Sequence, residues 1–263
     1  MTLLHSPILN FQQQGSGEHL ILIHGLFGSL DNLNMVAKVL AKQYTVTSVD
    51  VRNHGQSFHK NDMAYENLAQ DIVNLLDHLS ISSAYVLGHS MGGKIAMQLA
   101  LDFPNKVKKL IVADIAPVQY PAHHTKIIEG LTSIDLSKVN KRSDADNQLA
   151  AYVDNIGVRQ FLLRNLSRNQ AESSLKFSFS CNLAFIENCY PQIMKAYEGN
   201  SQYSQPTLFI KGGDSDYIQL AHKAAIDKIL PNATFKIIQG AGHWLHAEKT
   251  TAFNKIVTDF LAL

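Results

Sequence analysis

The chain reads as an α/β protein built on one mainly parallel sheet, interrupted by a helical insertion. Three observations predict this. Short apolar runs alternate with helical patterns between residues 20 and 113. The alternation stops from 118 to 200 and resumes at 207. A Gly-x-Ser-x-Gly segment, Gly88-His89-Ser90-Met91-Gly92, falls between a predicted strand and a predicted helix. Strands alternating with helices imply right-handed crossovers, and therefore parallel neighbours.

Leu20-Ile21-Leu22-Ile23 is a continuous apolar run, as expected for a strand buried on both faces. A glycine-containing loop follows, then a helix over 32–42 with Asp31 placed to cap it. The β-branched stretch 45–49 gives the next strand. Leu68, Ile72, Leu75, Leu76 and Leu79 mark one face of an amphipathic helix over 65–79. Residues 84–87 and 110–113 read as strands, separated by a helix over 94–101 that Pro104 stops. Residues 118–200 show no strand pattern but several helical ones, such as 148–153 and 158–166, and the polar run 138–147 reads as a solvated connection. Strand signals return at 207–210 and 234–238, with helices near 220–230 and 250–261. The expected organisation is a core of residues 1–117 and 201–263, with 118–200 as a helical cap or lid.

Composition excludes more than it identifies. The 263 residues carry 23 Lys+Arg against 22 Asp+Glu, a balance that argues against nucleic-acid and anionic-membrane binding. At this length a sizeable core forms without metals or disulfides. No apolar run is long enough to span a membrane, and residues 1–37, without Lys or Arg, lack the basic start of a secretory signal. Cys181 and Cys189, the only cysteines, lack Cys-x-x-Cys spacing and read as small buried groups in a reducing compartment. The expectation is a soluble, cytoplasmic protein, a monomer or small homo-oligomer.

Ser90 is the centre of the chemistry. A serine between a strand and a helix, flanked by Gly88 and Gly92, sits on a strained turn that exposes its oxygen at the sheet edge. A serine hydroxyl needs a base and a group to orient that base. Of twelve histidines, His243 is best placed: it follows a strand end and the turn Gly240-Ala241-Gly242, within reach of the strand C-termini. His246 is the second choice. His24 and His89, in the glycine turns, read as loop-holding residues, and His123-His124 lacks metal-ligand spacing. Two acids compete for the third role: Asp114 after the strand 110–113, and Asp216 after 207–210. Both preserve the order serine, acid, histidine.

His24-Gly25-Leu26-Phe27-Gly28, the run Asp50 to Ser57, the turn around Ser90 and Gly242-His243 together resemble the α/β-hydrolase superfamily. Segments 24–32, 88–94 and 114–118 are more particular and resemble its small bacterial esterases and acyl-coenzyme A thioesterases. That resemblance implies the α/β-hydrolase fold, with helices on both faces of the sheet and a helical lid. It also implies the acid after the family's sixth strand, which transfers to Asp114; the wider superfamily places it after the seventh, here Asp216.

On this reading Ser90, Asp114 and His243 are catalytic, and the backbone N–H groups of Leu26 and Met91 form the oxyanion hole. The expected substrate is a small ester or thioester, with no metal or organic cofactor needed. Dehalogenase and epoxide-hydrolase chemistry would require a carboxylate where Ser90 stands. A carbon–carbon hydrolase or lyase with the same three residues is the alternative within the superfamily, and a non-catalytic small-molecule receptor the alternative outside it. Arg159, Arg164 and Arg168 are candidate contacts for an anionic substrate tail. The lid's aromatic content matches the chain average, so composition does not mark it as an acyl-chain pocket.

Overall fold

Leu20 to Ile23 are all buried, and their alternation decides how the layers stack. Leu20 and Leu22 pack into one apolar cluster and Ile21 and Ile23 into another, as the two-residue period of a strand requires. Burying such side chains stabilises by about 1.5–3 kcal/mol each, so a strand covered on both faces belongs at the centre of a sheet.

The computed structural model describes residues 7–170 and 173–263. Its seven-stranded sheet contains β1 (Phe11–Gln14), β2 (Glu18–Ile23), β3 (Tyr44–Val49), β4 (Ala84–His89), β5 (Val107–Ala113), β8 (Thr207–Gly212) and β9 (Ala233–Ile238). The spatial order is β1-β3-β2-β4-β5-β8-β9, parallel throughout except for β1. On one face α1 (Asn34–Leu40) and α11 (Thr250–Ala262) cover Leu20, Leu22, Leu87 and Ile111. On the other, α2 (Tyr65–His78) and α3 (Met91–Asp102) cover Ile21, Ile23, Val86 and Val112. α9 (Lys223–Ile229) links β8 to β9, and the short α10 (Leu245–Glu248) precedes α11.

Between β5 and β8 the chain runs through α4 (Thr125–Thr132), α5 (Arg142–Leu149), α6 (Ile156–Leu162), α7 (Leu183–Asn188) and α8 (Tyr190–Met194). Here the structure departs from the sequence pattern. A ribbon of β6 (Leu166–Arg168) and β7 (Phe177–Phe179) pairs antiparallel, each strand too short to register a two-residue period. The polar run expected as a connection forms α5, which buries only Ala145 and Leu149, and the helix expected over 148–153 ends at Leu149. At the other end of the chain, β1 is an edge strand whose three glutamines are exposed, so no apolar alternation announces it. The helix expected from Asn32 begins instead as a 3₁₀ turn, Leu30–Leu33, capped by Ser29 rather than by Asp31.

The loop after β3 is held by buried charge. Arg52 is 3% exposed; its Nε donates to Asp71 on α2 at 2.6 Å and its Nη1 to Asp62 at 3.2 Å. Asp50 accepts from Asn10 Nδ2, Leu30 N and Gln56 N, and the turn beside it needs Gly55, at φ +55°, because a Cβ there would strike the Asp50 carboxylate. Removing one partner of a buried pair strands the other charge at a cost of about 3–5 kcal/mol. Arg52→Leu should therefore lower unfolding stability by roughly that amount in urea titrations. Lys255→Ala, which breaks an exposed pair with Asp259, should change it by less than about 1 kcal/mol.

Candidate active site

The C-terminal ends of β2, β4, β5, β8 and β9 converge on one edge of the sheet. Ser90 leaves β4 at φ +54°, ψ −123°, a conformation that L-residues avoid. Its N–H donates to Ala113 O at 2.9 Å, and its carbonyl accepts from Gly93 and Lys94 as α3 begins. A Cβ on Gly88 would land on the Gly92 carbonyl, and one on Gly92 would land on the Ile23 and His24 carbonyls. The two glycines flanking Ser90 are thus demanded by backbone packing, which presses the first turn of α3 between β4 and the end of β2.

Three distant residues meet here. His243 Nε2 lies 2.9 Å from Ser90 Oγ, and His243 Nδ1 lies 2.7 Å from Asp114 Oδ2. A carboxylate only accepts, so Nδ1–H donates to Asp114 and Nε2 is left to accept from the Ser90 hydroxyl. Asp114, fully buried at φ +53°, also accepts from Gly212 N at 3.0 Å and from the Ser215 hydroxyl. Asp216 is exposed on an outer groove and makes no hydrogen bond to His243 among the described residues. Its neighbour Ser215, which the sequence pattern did not single out, is the one that turns inward.

The other histidines sort by their partners. His89 is buried beneath His243 and donates from Nε2 to the His243 carbonyl at 2.8 Å, fixing the loop that carries it. His246 packs on His89 with ring centroids 4.4 Å apart and is not hydrogen-bonded to Ser90. His24 Nδ1 donates to Gly25 O at 2.7 Å while Nε2 accepts from Val51 N at 3.0 Å. His54 Nδ1 donates to Arg52 O at 2.9 Å while Nε2 accepts from Phe27 N at 3.2 Å. Burial pushes the pKa values of His24 and His246 down to about 4 and that of His54 to about 3. Tyr217, also absent from the sequence reading, stacks on the His243 ring with centroids 3.8 Å apart.

A cavity of about 320 Å³ opens on Ser90 and His243, walled by Leu26, Phe27, Ile127, Val158, Phe161 and Trp244. Its far wall comes from α4 and α6, so the helical insertion stands over the site. Lys94, on α3, staples the insertion at both stems: its Nζ donates to Val118 O at 2.9 Å and to Lys195 O at 2.5 Å. Burial lowers the Lys94 pKa to about 7. Arg159 is committed to Asp146 and to the Val153 and Asp154 carbonyls, while Arg164 and Arg168 are exposed.

A profile of the alpha/beta hydrolase fold family matches residues 18–250. The chain belongs to the α/β-hydrolase family. Among its relatives, the sn-1-specific diacylglycerol lipase ABHD11 of Mus musculus is 39% identical over 251 residues, covering 92% of this chain and 80% of that one. Esterase YbfF of Escherichia coli is 35% identical, covering 95% of each chain. The solved structure of a marine microorganism esterase superposes with a TM-score of 0.93 at 41% identity, covering 97% of this chain and all of that one.

Burial gives three of the histidines a shared consequence. Each of His24, His54 and His246 is neutral in the folded chain but titrates near 6.5 when unfolded. The unfolded state therefore binds more protons as the pH falls from about 6.5 toward 4, and stability falls with it. Urea melts should show no contribution from these rings above about pH 7 and a steepening loss below pH 6.5. Replacing His246 by Phe should flatten that loss.

Proposed function

We propose that this chain, an ester-bond hydrolase of the α/β-hydrolase family, works through a covalent acyl-enzyme on Ser90. The observation that carries the reading is the continuous hydrogen-bonded line from Ser90 Oγ through His243 to the buried carboxylate of Asp114. Its kinship supports the reaction class: relatives matched over most of their length are named esterase and diacylglycerol lipase.

In this mechanism Ser90 Oγ attacks the ester carbonyl while His243 Nε2 takes its proton. Asp114 holds the ring with Nε2 free and stabilises the imidazolium that forms. The carbonyl oxygen, now negative, is received by the N–H groups of Leu26 and Met91, neither of which donates to another group among the described residues. Such a preorganised donor contributes about 10²–10³ in kcat. His243 then protonates the leaving alcohol or thiol, and water activated by the same ring releases the acid. The cavity is at the small end of the range for small-molecule sites and largely apolar, which suits a short or medium acyl chain. Thioesters, acyl-coenzyme A among them, follow the same path with a better leaving group. The free, buried thiols of Cys181 and Cys189 fit a reducing, cytoplasmic setting.

Hydrolysis of p-nitrophenyl butyrate tests the assignment. Ser90→Ala should fall to background, and Asp114→Asn should lose on the order of 10⁴ in kcat because the ring loses its oriented tautomer. Asp216→Asn should keep near-wild-type kcat. A deep loss at Asp216 with little at Asp114 would reverse the assignment of the acid.

A further inference from the structure

The turn that carries the Leu26 N–H is pinned at every peptide, and one of the pins comes from the insertion. Gly28 N donates to Gly25 O at 3.0 Å, closing a four-residue turn whose third residue, Phe27, sits at φ +58°. Turns of this kind are built with glycine at the third position, because a side chain there is strained. Phe27 is nonetheless a large side chain, 3% exposed, so the conformation persists only if the surroundings impose it.

The surroundings are specific. The Gly25–Leu26 peptide has its carbonyl held by Gly28 N and by His24 Nδ1, while its Leu26 N–H has no acceptor among the described residues. The next peptide has its Phe27 N–H held by Nε2 of His54, which is fully buried. The third has its Phe27 carbonyl held at 2.6 Å by Asn165 Nδ2. Asn165 is 4% exposed and lies between α6 and β6, where its amide also donates to Leu162 O at 3.1 Å and its backbone carbonyl accepts from Ser180 N at 2.8 Å. The insertion also touches the loop after β3, where Asn182 N donates to Asn53 O at 2.8 Å, one residue before His54.

We infer that Asn165 and His54 are positioning residues for the oxyanion hole, clamping the left-handed Phe27 at its carbonyl and its N–H so that the docked insertion aims the Leu26 N–H at the site of negative charge. The inference rests on the acyl-enzyme reading above, and adds that the insertion contributes to the rate as well as to substrate binding. A donor displaced by about 1 Å can cost about 10² in rate without altering ground-state contacts.

The test compares Asn165→Leu, similar in size but unable to donate, with wild type on p-nitrophenyl butyrate. The expected result is a 10- to 100-fold lower kcat with little change in KM, a loss on the scale of a misaligned oxyanion donor. Binding of butane boronic acid, which forms a tetrahedral anion on serine, should weaken by a similar factor, while inhibition by butyrate stays unchanged. In parallel, His54→Phe should lose more kcat than His54→Gln, which keeps an acceptor, and this pair carries the test if Asn165→Leu does not fold. The double variant Asn165→Leu/His54→Phe should lose less than the product of the single losses, because both act on one turn. Wild-type kcat in Asn165→Leu, or a loss that appears only as higher KM and lower Tm, would overturn the positioning role and leave the acyl-enzyme reading intact. Surviving activity in Ser90→Ala would instead remove the reading on which it rests.

Discussion

The backbone contact between the start of α3 and the ends of β2 and β4 is the constraint on which the site depends. Gly88 and Gly92 let these three segments approach more closely than any side chain would allow, and the approach forces Ser90 into its left-handed turn. The same contact starts α3 at Met91, directly after the serine, and the Met91 N–H has no acceptor among the described residues. Everything else is arranged around this point: β5 brings Asp114, the loop after β9 brings His243, and the loop after β2 brings Leu26.

Strain is concentrated where these loops meet. Phe27, Ser90 and Asp114, each leaving the C-terminal end of a neighbouring strand, all have positive φ. Such residues are held by partners that over-determine them. Ser90 is locked by Ala113 O and the first turn of α3, Asp114 by Ile210 O and three donors to its carboxylate, and Phe27 by His54 and Asn165. The buried histidines make this locking cheap in charge: kept neutral by burial, each offers one donor and one acceptor to the backbone, and His24 and His54 use both.

The order of strands and helices in the core was legible because β2 is an unbroken apolar run over Leu20 to Ile23, β3 is rich in β-branched residues and α2 has an apolar face. Ser90 and His243 were legible for a different reason: Gly88 and Gly92 mark a close backbone approach beside Ser90, and Gly240, at φ +65°, marks the turn that leads to His243. Asp114 and Asp216 could not be separated by local pattern, since both follow strands of the same sheet. What separates them is the turn after Gly212, which points Ser215 inward and Asp216 outward. Asn165 and Tyr217 were not legible at all, because their partners lie far away in the chain. The ribbon of β6 and β7 and the polar helix α5 were missed because three-residue strands and a helix with two buried residues leave no periodic trace.

The central claim is a covalent acyl group on the Ser90 oxygen, and rapid acid quenching during turnover of p-nitrophenyl butyrate, followed by mass spectrometry of proteolytic peptides, tests it most directly. The account predicts that the peptide containing Ser90 gains the mass of one butyryl group, that the modification accumulates in His243→Ala if deacylation is the slower step there, and that no peptide gains it in Ser90→Ala. Turnover with no butyrylated Ser90 peptide in any quench, together with full activity in Ser90→Ala, would contradict it.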